Sequence, residues 1–375
     1  MSQPSLPETM RRLMEVPTAP FREQWMAEEV LRAAAGMTGV QTETDRFGNI
    51  ILRLRRGEPK APPLVFVAHL DHPGFLFDGD APVRREGGLY LMEGVFEGRV
   101  RTSYFTGAPV RLFRGADDAG IPGKVAEITE ERPEPDNRHA VIETSEDPSG
   151  AVLGMWDFPA FAEEAGGLVA SRACDDLAGS AILLEALRQE AADTGGPVDL
   201  TIVYTRAEEC GFCGALCLTE ARPFPHLLPE DGLFISVETS GETPAARVDE
   251  GAIVRVGDRT STFDGKAADE LWAAARESNL PVKRALMDRG TCEATVFARA
   301  GLRAAAVCIP LRNYHNMDVE AERIAPEMVS LRDAAALLSL VRTLARRHGR
   351  GLASEPVVNQ RYALFLDKGR RLLSR

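Results

Sequence analysis

Apolar residues recur at helical spacing over residues 21–35, with Trp25, Val30 and Leu31 on one face and acidic residues opposite, and this predicts an amphipathic helix. Apolar runs at 49–54 and 63–68 then predict two strands. From 73 to about 168 the texture changes. Short alternating segments at 89–92, 95–101, 109–113, 124–128 and 140–144, punctuated by Gly, Pro and Asp, predict a small all-β unit. Beyond 169 helix and strand alternate again: helix 176–191, strand 198–205, helix 211–220, strand 233–238, helices 266–278 and 291–300, strand 304–309, and a closing helix 326–347 with Leu331, Ala335, Leu338 and Val341 at helical spacing. The expected fold class is α/β, with an all-β module inserted at 73–168 between the two parts of one α/β domain, 1–72 and 169–348, and a basic tail at 349–375 that reads as a solvated extension or a subunit contact.

A chain of 375 residues can bury the large core that two such units need. Its net charge of −12 and lack of a basic stripe argue against nucleic acid or an anionic membrane surface as the main partner. Residues 1–20 lack a leader pattern and no apolar run approaches about 20 residues, so the expected setting is cytoplasmic. The six cysteines suit a reducing compartment; Cys210, Cys213 and Cys217 read as small side chains in a crowded turn rather than a zinc or redox motif.

The candidate chemistry lies at the ends of the apolar runs. Glu208 and Glu209 follow a buried-type strand and precede the glycine-rich turn Cys210-Gly211-Phe212-Cys213-Gly214. Two like charges there call for a cation or a raised pKa. Glu163–Glu164, Glu130–Glu131 and Asp117–Asp118 sit in polar surroundings, where solvation explains them. Four further clusters end apolar segments: His69 with Asp71, Asp175–Asp176, Glu238 and His315. Polar clusters gathered at the carboxyl edge of an α/β sheet are what a metal site needs. Histidine and carboxylate without cysteine suit zinc, cobalt or manganese, and a water held between two ions could attack an amide carbonyl.

The motifs His69-Leu70-Asp71 with Pro73-Gly74-Phe75, Ala173-Cys174-Asp175-Asp176-Leu177-Ala178-Gly179, Glu208-Glu209-Cys210-Gly211-Phe212, Val237-Glu238 and Pro310-Leu311-Arg312-Asn313-Tyr314-His315 resemble, in order, those of the M42 family of dinuclear metallo-aminopeptidases. The resemblance spans roughly residues 5–345 and implies a mixed-sheet α/β/α zinc-peptidase-like catalytic domain. It implies that Asp175 bridges two metal ions, zinc being the first expectation, that His69 and Glu238 complete one and Glu209 and His315 the other, and that Glu208 is the general base. It further implies that Asp71 orients the His69 imidazole, that Asp175–Asp176 is the peptide bond that is cis in this clan, and that Arg312 contacts substrate. Its members act on short peptides and form homo-oligomers, commonly large shells such as dodecamers. Three departures bear on substrate choice: His72 follows the H-x-D element where an acidic residue is usual, Glu238 replaces an aspartate, and Cys292 with Glu293 replaces the usual aspartate after Gly290-Thr291. His72 and Glu293 are therefore expected beside the substrate. A deacylase of small N-acyl substrates and a catalytically silent scaffold are the competing readings.

Overall fold

The strand Leu64–His69 is buried along its whole length, and its side chains divide by parity. Leu64, Phe66 and Ala68 enter one core; Val65 and Val67 enter another. Leu200, Ile202 and Tyr204 against Val203, and Leu233, Ile235 and Val237 against Phe234, follow the same division. A sheet apolar on both faces must be covered on both faces. In this computed structural model, which describes residues 5–78, 81, 83–128, 137–221, 224–351 and 357–373, helices cover both. Helices Leu6–Glu15, Gln24–Ala34, Leu177–Ala192, Gly265–Glu277 and Leu331–Gly349 contribute to the first core, and Cys213–Glu220 and Glu293–Arg299 to the second.

The eight-stranded sheet is mixed. Its centre is parallel: strand Leu64–His69 lies between Val198–Thr205 and Leu233–Gly241, and the latter pairs with Arg303–Leu311. Ile50–Arg56 joins Val198–Thr205 antiparallel on one side, and Ala252–Asp258 joins Arg303–Leu311 antiparallel on the other. The parallel centre brings the carboxyl ends bearing His69, Glu208, Glu238 and Arg312 to one edge, the usual place for a ligand site.

Residues from Gly74 to Trp156 supply a separate seven-stranded antiparallel sheet. Its core is aromatic: the Phe75 and Phe105 rings meet Trp156 edge-on at centroid distances of 5.2 and 5.0 Å. The later strands Ala162–Glu164 and Leu168–Ser171 lie outside this sheet and form a three-stranded sheet with Glu327–Ser330. That third strand replaces the first turn expected of the closing helix, which begins at Leu331 behind a Ser330 cap whose side chain accepts from the Arg332 amide. The basic tail contains a helix, Val357–Leu373, and among the described residues no helix is long and apolar enough to cross a membrane. The Glu130–Glu131 pair lies outside the described residues.

Candidate metal centre

Three loops carry the polar clusters, and buried carboxylates fix each of them. At the Glu208 loop, Ala207 adopts a left-handed φ of 50°, and its amide donates to Glu23 Oε1 at 2.9 Å. The next two amides, of Glu208 and Glu209, donate to Asp71 Oδ1 and Oδ2 at 2.9 and 3.1 Å. A left-handed alanine costs on the order of 1–2 kcal/mol, so the conformation needs these acceptors. Gly214 is required behind the loop, because a Cβ there would stand 2.6 Å from the Arg206 backbone. At the second loop the Asp175–Asp176 peptide is cis, and a Cβ on Gly179 would meet the Asp176 carboxylate at 2.3 Å. Asp176 itself accepts from Thr239 Oγ1 at 2.7 Å. At the third, Asn313, His315 and Asn316 all have positive φ, turning the chain so that the His315 ring faces inward and is buried.

The loops and strand ends bring His69, Asp175, Glu208, Glu209, Glu238 and His315 together. Their ligand-type atoms form three sets, each within 4.8 Å: His69–Asp175–Glu238, His69–Glu208–Glu209 and Asp175–Glu209–His315. His69 Nε2 is 3.6 Å from Asp175 Oδ1, and His315 Nε2 is 3.7 Å from Asp175 Oδ2 and 3.0 Å from Glu209 Oε2. The other ring nitrogens are engaged by backbone: His69 Nδ1 lies 3.1 Å from the Asp71 carbonyl and His315 Nδ1 lies 3.2 Å from the Arg99 carbonyl. This leaves both Nε2 atoms to face the carboxylates, as metal-binding imidazoles do.

A cation fits what this arrangement leaves unsatisfied. Asp175 Oδ1 and Glu209 Oε1 are buried without hydrogen-bond partners, and His315 Nε2 faces only carboxylates, Glu209 Oε2 being the nearest at 3.0 Å, whereas buried polar atoms are ordinarily paired. The protonation equilibria show the same crowding of negative charge. Burial pushes Asp175 up to about 7, with Glu209 adding to the rise against the pull of His69. Burial also raises Glu208 well above the usual carboxylate range, with Glu209 and Glu238 adding to the rise against His69. Burial would lower His69, but the neighbouring carboxylates of Glu208, Asp175 and Asp71 outweigh it and hold the imidazole well above its ordinary value. Glu209 falls to about 2 because His315 outweighs its burial. Divalent cations would replace protons as the compensating charge.

The remaining expected site residues fall elsewhere. His72 is fully buried, with Nδ1 2.6 Å from the Asp175 carbonyl and Nε2 2.8 Å from Asn316 Oδ1. Both ring nitrogens being occupied, it ties the Asp175 loop to the His315 loop and presents no face to a substrate. Glu293 is also fully buried, and burial pushes it to about 8 against the pull of His69 and Thr205. It lies behind the site, at the start of its helix, instead of lining the cleft. Asp71 approaches His69 Nδ1 with its carboxylate at 3.6 Å, but its shorter contacts are the two amides of the Glu208 loop, so bracing that loop is its principal task. Arg312 does line the cleft, 3.8 Å from Glu242.

The cleft, of about 690 Å³, reaches His69, Asp175, Glu208 and Glu238 at one end and Arg247, Arg255, Arg289 and Arg312 elsewhere on its wall. Arg255 is 3 % exposed; Nη1 donates to Ser240 Oγ at 3.2 Å while Nε has no partner. The short hairpin of Met317–Asp318 and Arg323–Ile324 forms part of the rim and packs Ile324 into the core of the seven-stranded sheet. Sequence pattern gives no sign of this rim, nor of the buried carboxylates Glu23 and Glu327, whose partners are largely backbone amides.

Residues 156–339 match the family model described as M42 glutamyl aminopeptidase. Among solved structures, the chain is similar to the TET1 peptidase of Pyrococcus horikoshii, which can assemble into a tetrahedron or a large octahedral shell (TM-score 0.70, 19% identity, covering 91% of this chain and 99% of that one). It is also similar to an aminopeptidase from Desulfurococcus kamchatkensis (TM-score 0.71, 19% identity, 94% and 98%) and to an M18-family aminopeptidase from Thermotoga maritima (TM-score 0.66, 15% identity, 90% and 95%). No curated protein matches the chain by sequence. The matched stretch carries Asp175, Glu208, Glu209, Glu238 and His315, and over that stretch the chain is similar to the M42 peptidases.

Proposed function

We propose that this chain is a dinuclear metal-dependent aminopeptidase that removes N-terminal residues from short peptides. The observation that carries the reading is the buried cluster of Asp175, Glu209 and His315, in which Asp175 Oδ1 and Glu209 Oε1 have no hydrogen-bond partners, opening through His69, Glu208 and Glu238 into a cleft. Asp175 with His69 and Glu238 would hold one ion, and Asp175 with Glu209 and His315 the other; zinc suits this donor set, as do cobalt and manganese. Bound divalent ions would supply Lewis acidity to a water and to the scissile carbonyl.

The protein's own part is proton transfer and orientation. Glu208 Oε2 takes the proton from the attacking water and delivers it to the leaving amine nitrogen as the C–N bond breaks, a task suited to a carboxylate whose proton affinity burial has raised. Asp71 holds the amides of Glu208 and Glu209 and so keeps base and ligand in register. The arginines of the cleft favour substrates with an acidic side chain, Arg255 being the buried one with a donor to spare. An aminopeptidase also has to recognise a free α-amine, which the carboxylates at the metal end can do.

Aminoacyl anilides and their N-acetyl counterparts, each assayed with and without added zinc, test the reading. Free-amine substrates should be faster by orders of magnitude, because the acetyl group leaves a buried carboxylate unpaired, and Glu or Asp anilides should exceed Lys or Arg anilides. Faster cleavage of the acetylated series would replace the aminopeptidase with a deacylase. We further read residues 73–168 as a module for assembly and access in a cytoplasmic homo-oligomer. Light scattering should then return a mass of several chains, and a monomer would remove this part of the proposal.

A further inference from the structure

Glu327 stands outside every metal-ligand set, yet it touches two of the three loops that form them. It is fully buried at the start of the strand Glu327–Ser330, where it pairs in register with Ser171. Oε2 accepts the amides of Cys174 at 2.6 Å and Asp175 at 3.1 Å; Oε1 accepts the amide of His315 at 2.8 Å. Among the described residues no cationic side chain pairs with it, so backbone N–H groups supply its compensation. A buried carboxylate is costly without such partners, and here the partners are the amides of Asp175 and His315 themselves. The His315 amide can point at Glu327 only because that residue is left-handed, at φ 54°.

From this geometry we infer that Glu327 is a positioning residue for the metal centre. One rigid carboxylate references the Asp175 loop and the His315 loop to each other across 140 residues of chain and fixes the 3.7 Å spacing between Asp175 Oδ2 and His315 Nε2. The inference rests on the metal reading above. It makes no use of Glu327 as ligand or base: its two oxygens are both spent on amides, directed away from the cleft that the ligands line.

Glu327→Gln tests it. The amide keeps the volume but turns one oxygen into a donor, which must face either the His315 N–H or the Cys174 and Asp175 N–H groups. Zinc binding to metal-free wild type and variant is measured by competition with a chromophoric chelator. The variant should bind its ions about 10- to 100-fold more weakly, the usual effect of losing a group that orients a ligand. Excess zinc should restore much of its kcat, with KM little changed. A catalytic group would not be rescued in this way. Glu327→Asp, which keeps the charge but can reach only one loop, should fall between the two. Wild type that binds zinc with both variants folded and within twofold of its affinity would overturn the role of Glu327 alone. Wild type that binds no divalent ion would overturn the metal reading and this role with it. If circular dichroism shows both metal-free variants unfolded, the residue holds the fold and the positioning role fails.

Discussion

Glu208→Gln should lower kcat by about 10²- to 10⁴-fold, the range that general-base catalysis contributes, while the protein keeps two bound ions and an almost unchanged KM. The argument turns on what the side chain touches. Glu208 is buried at the inner end of the cleft, with Oε2 4.0 Å from His69 Nε2, and no metal set other than His69–Glu208–Glu209 includes it. Glutamine matches it in shape, can still accept a hydrogen bond, and cannot take a proton. If Glu208 is the base, turnover falls and the metal stays. If Glu208 is a ligand, metal analysis of the variant returns fewer than two ions, and the division of labour between the adjacent glutamates is the reverse of the one proposed. Activity within tenfold of wild type with both ions present would remove Glu208 from the chemistry.

The elements that position this site are legible in the sequence where a strand has both faces buried. Residues 64–68, 200–204 and 233–237 are buried throughout and apolar but for Thr201 and Ser236, because cores lie on both sides, and polar residues gather where each run reaches the sheet edge. The clusters His69, Glu208–Glu209 and Glu238 are visible for that reason. Residues 252–258 and 282–287 are also strands, but Arg255, Lys283 and Arg284 interrupt their apolar pattern. The start of the closing helix is misread for a different reason. Met328, Val329 and Leu331 satisfy helical spacing as well as strand alternation, and the choice is made by pairing with Leu168–Ser171, more than 150 residues away.

Side-chain direction is harder to read than location. His72 and Glu293 lie in motifs beside the site, yet one is clamped between the Asp175 carbonyl and Asn316 and the other is buried behind the sheet edge. Motif proximity cannot separate a residue that faces substrate from one that faces the scaffold. Glu23 and Glu327 act largely on backbone amides, and an amide is present at nearly every position, so no motif in the sequence points to them; Asp71 is legible beside His69, but its hold on the amides of Glu208 and Glu209 is not. The hydrogen-bonding needs of the left-handed residues Ala207 and His315 are the physical reason these carboxylates are there.

Asp175→Ala should abolish turnover by a different route, the loss of both ions. Asp175 belongs to two of the three ligand sets, so its removal leaves His69 with Glu238 on one side and Glu209 with His315 on the other. Catalytic zinc sites ordinarily retain three protein ligands, and two are too few to hold an ion against solvent. The substitution should not unfold the chain. Asp175 Oδ1 has no hydrogen-bond partner, and its carboxylate adds like charge to a cluster that already contains Glu208, Glu209 and Glu238. Removing it relieves that repulsion in the metal-free state. The expected pattern is therefore a metal-free variant that melts no lower than metal-free wild type, combined with the loss of the rise in melting temperature that zinc gives wild type. At a hundredfold excess over Kd that ligand effect amounts to about 2.7 kcal/mol, enough to read in a thermal scan. If the variant retains two ions, or melts higher on addition of zinc as wild type does, Asp175 does not join the two halves of the site.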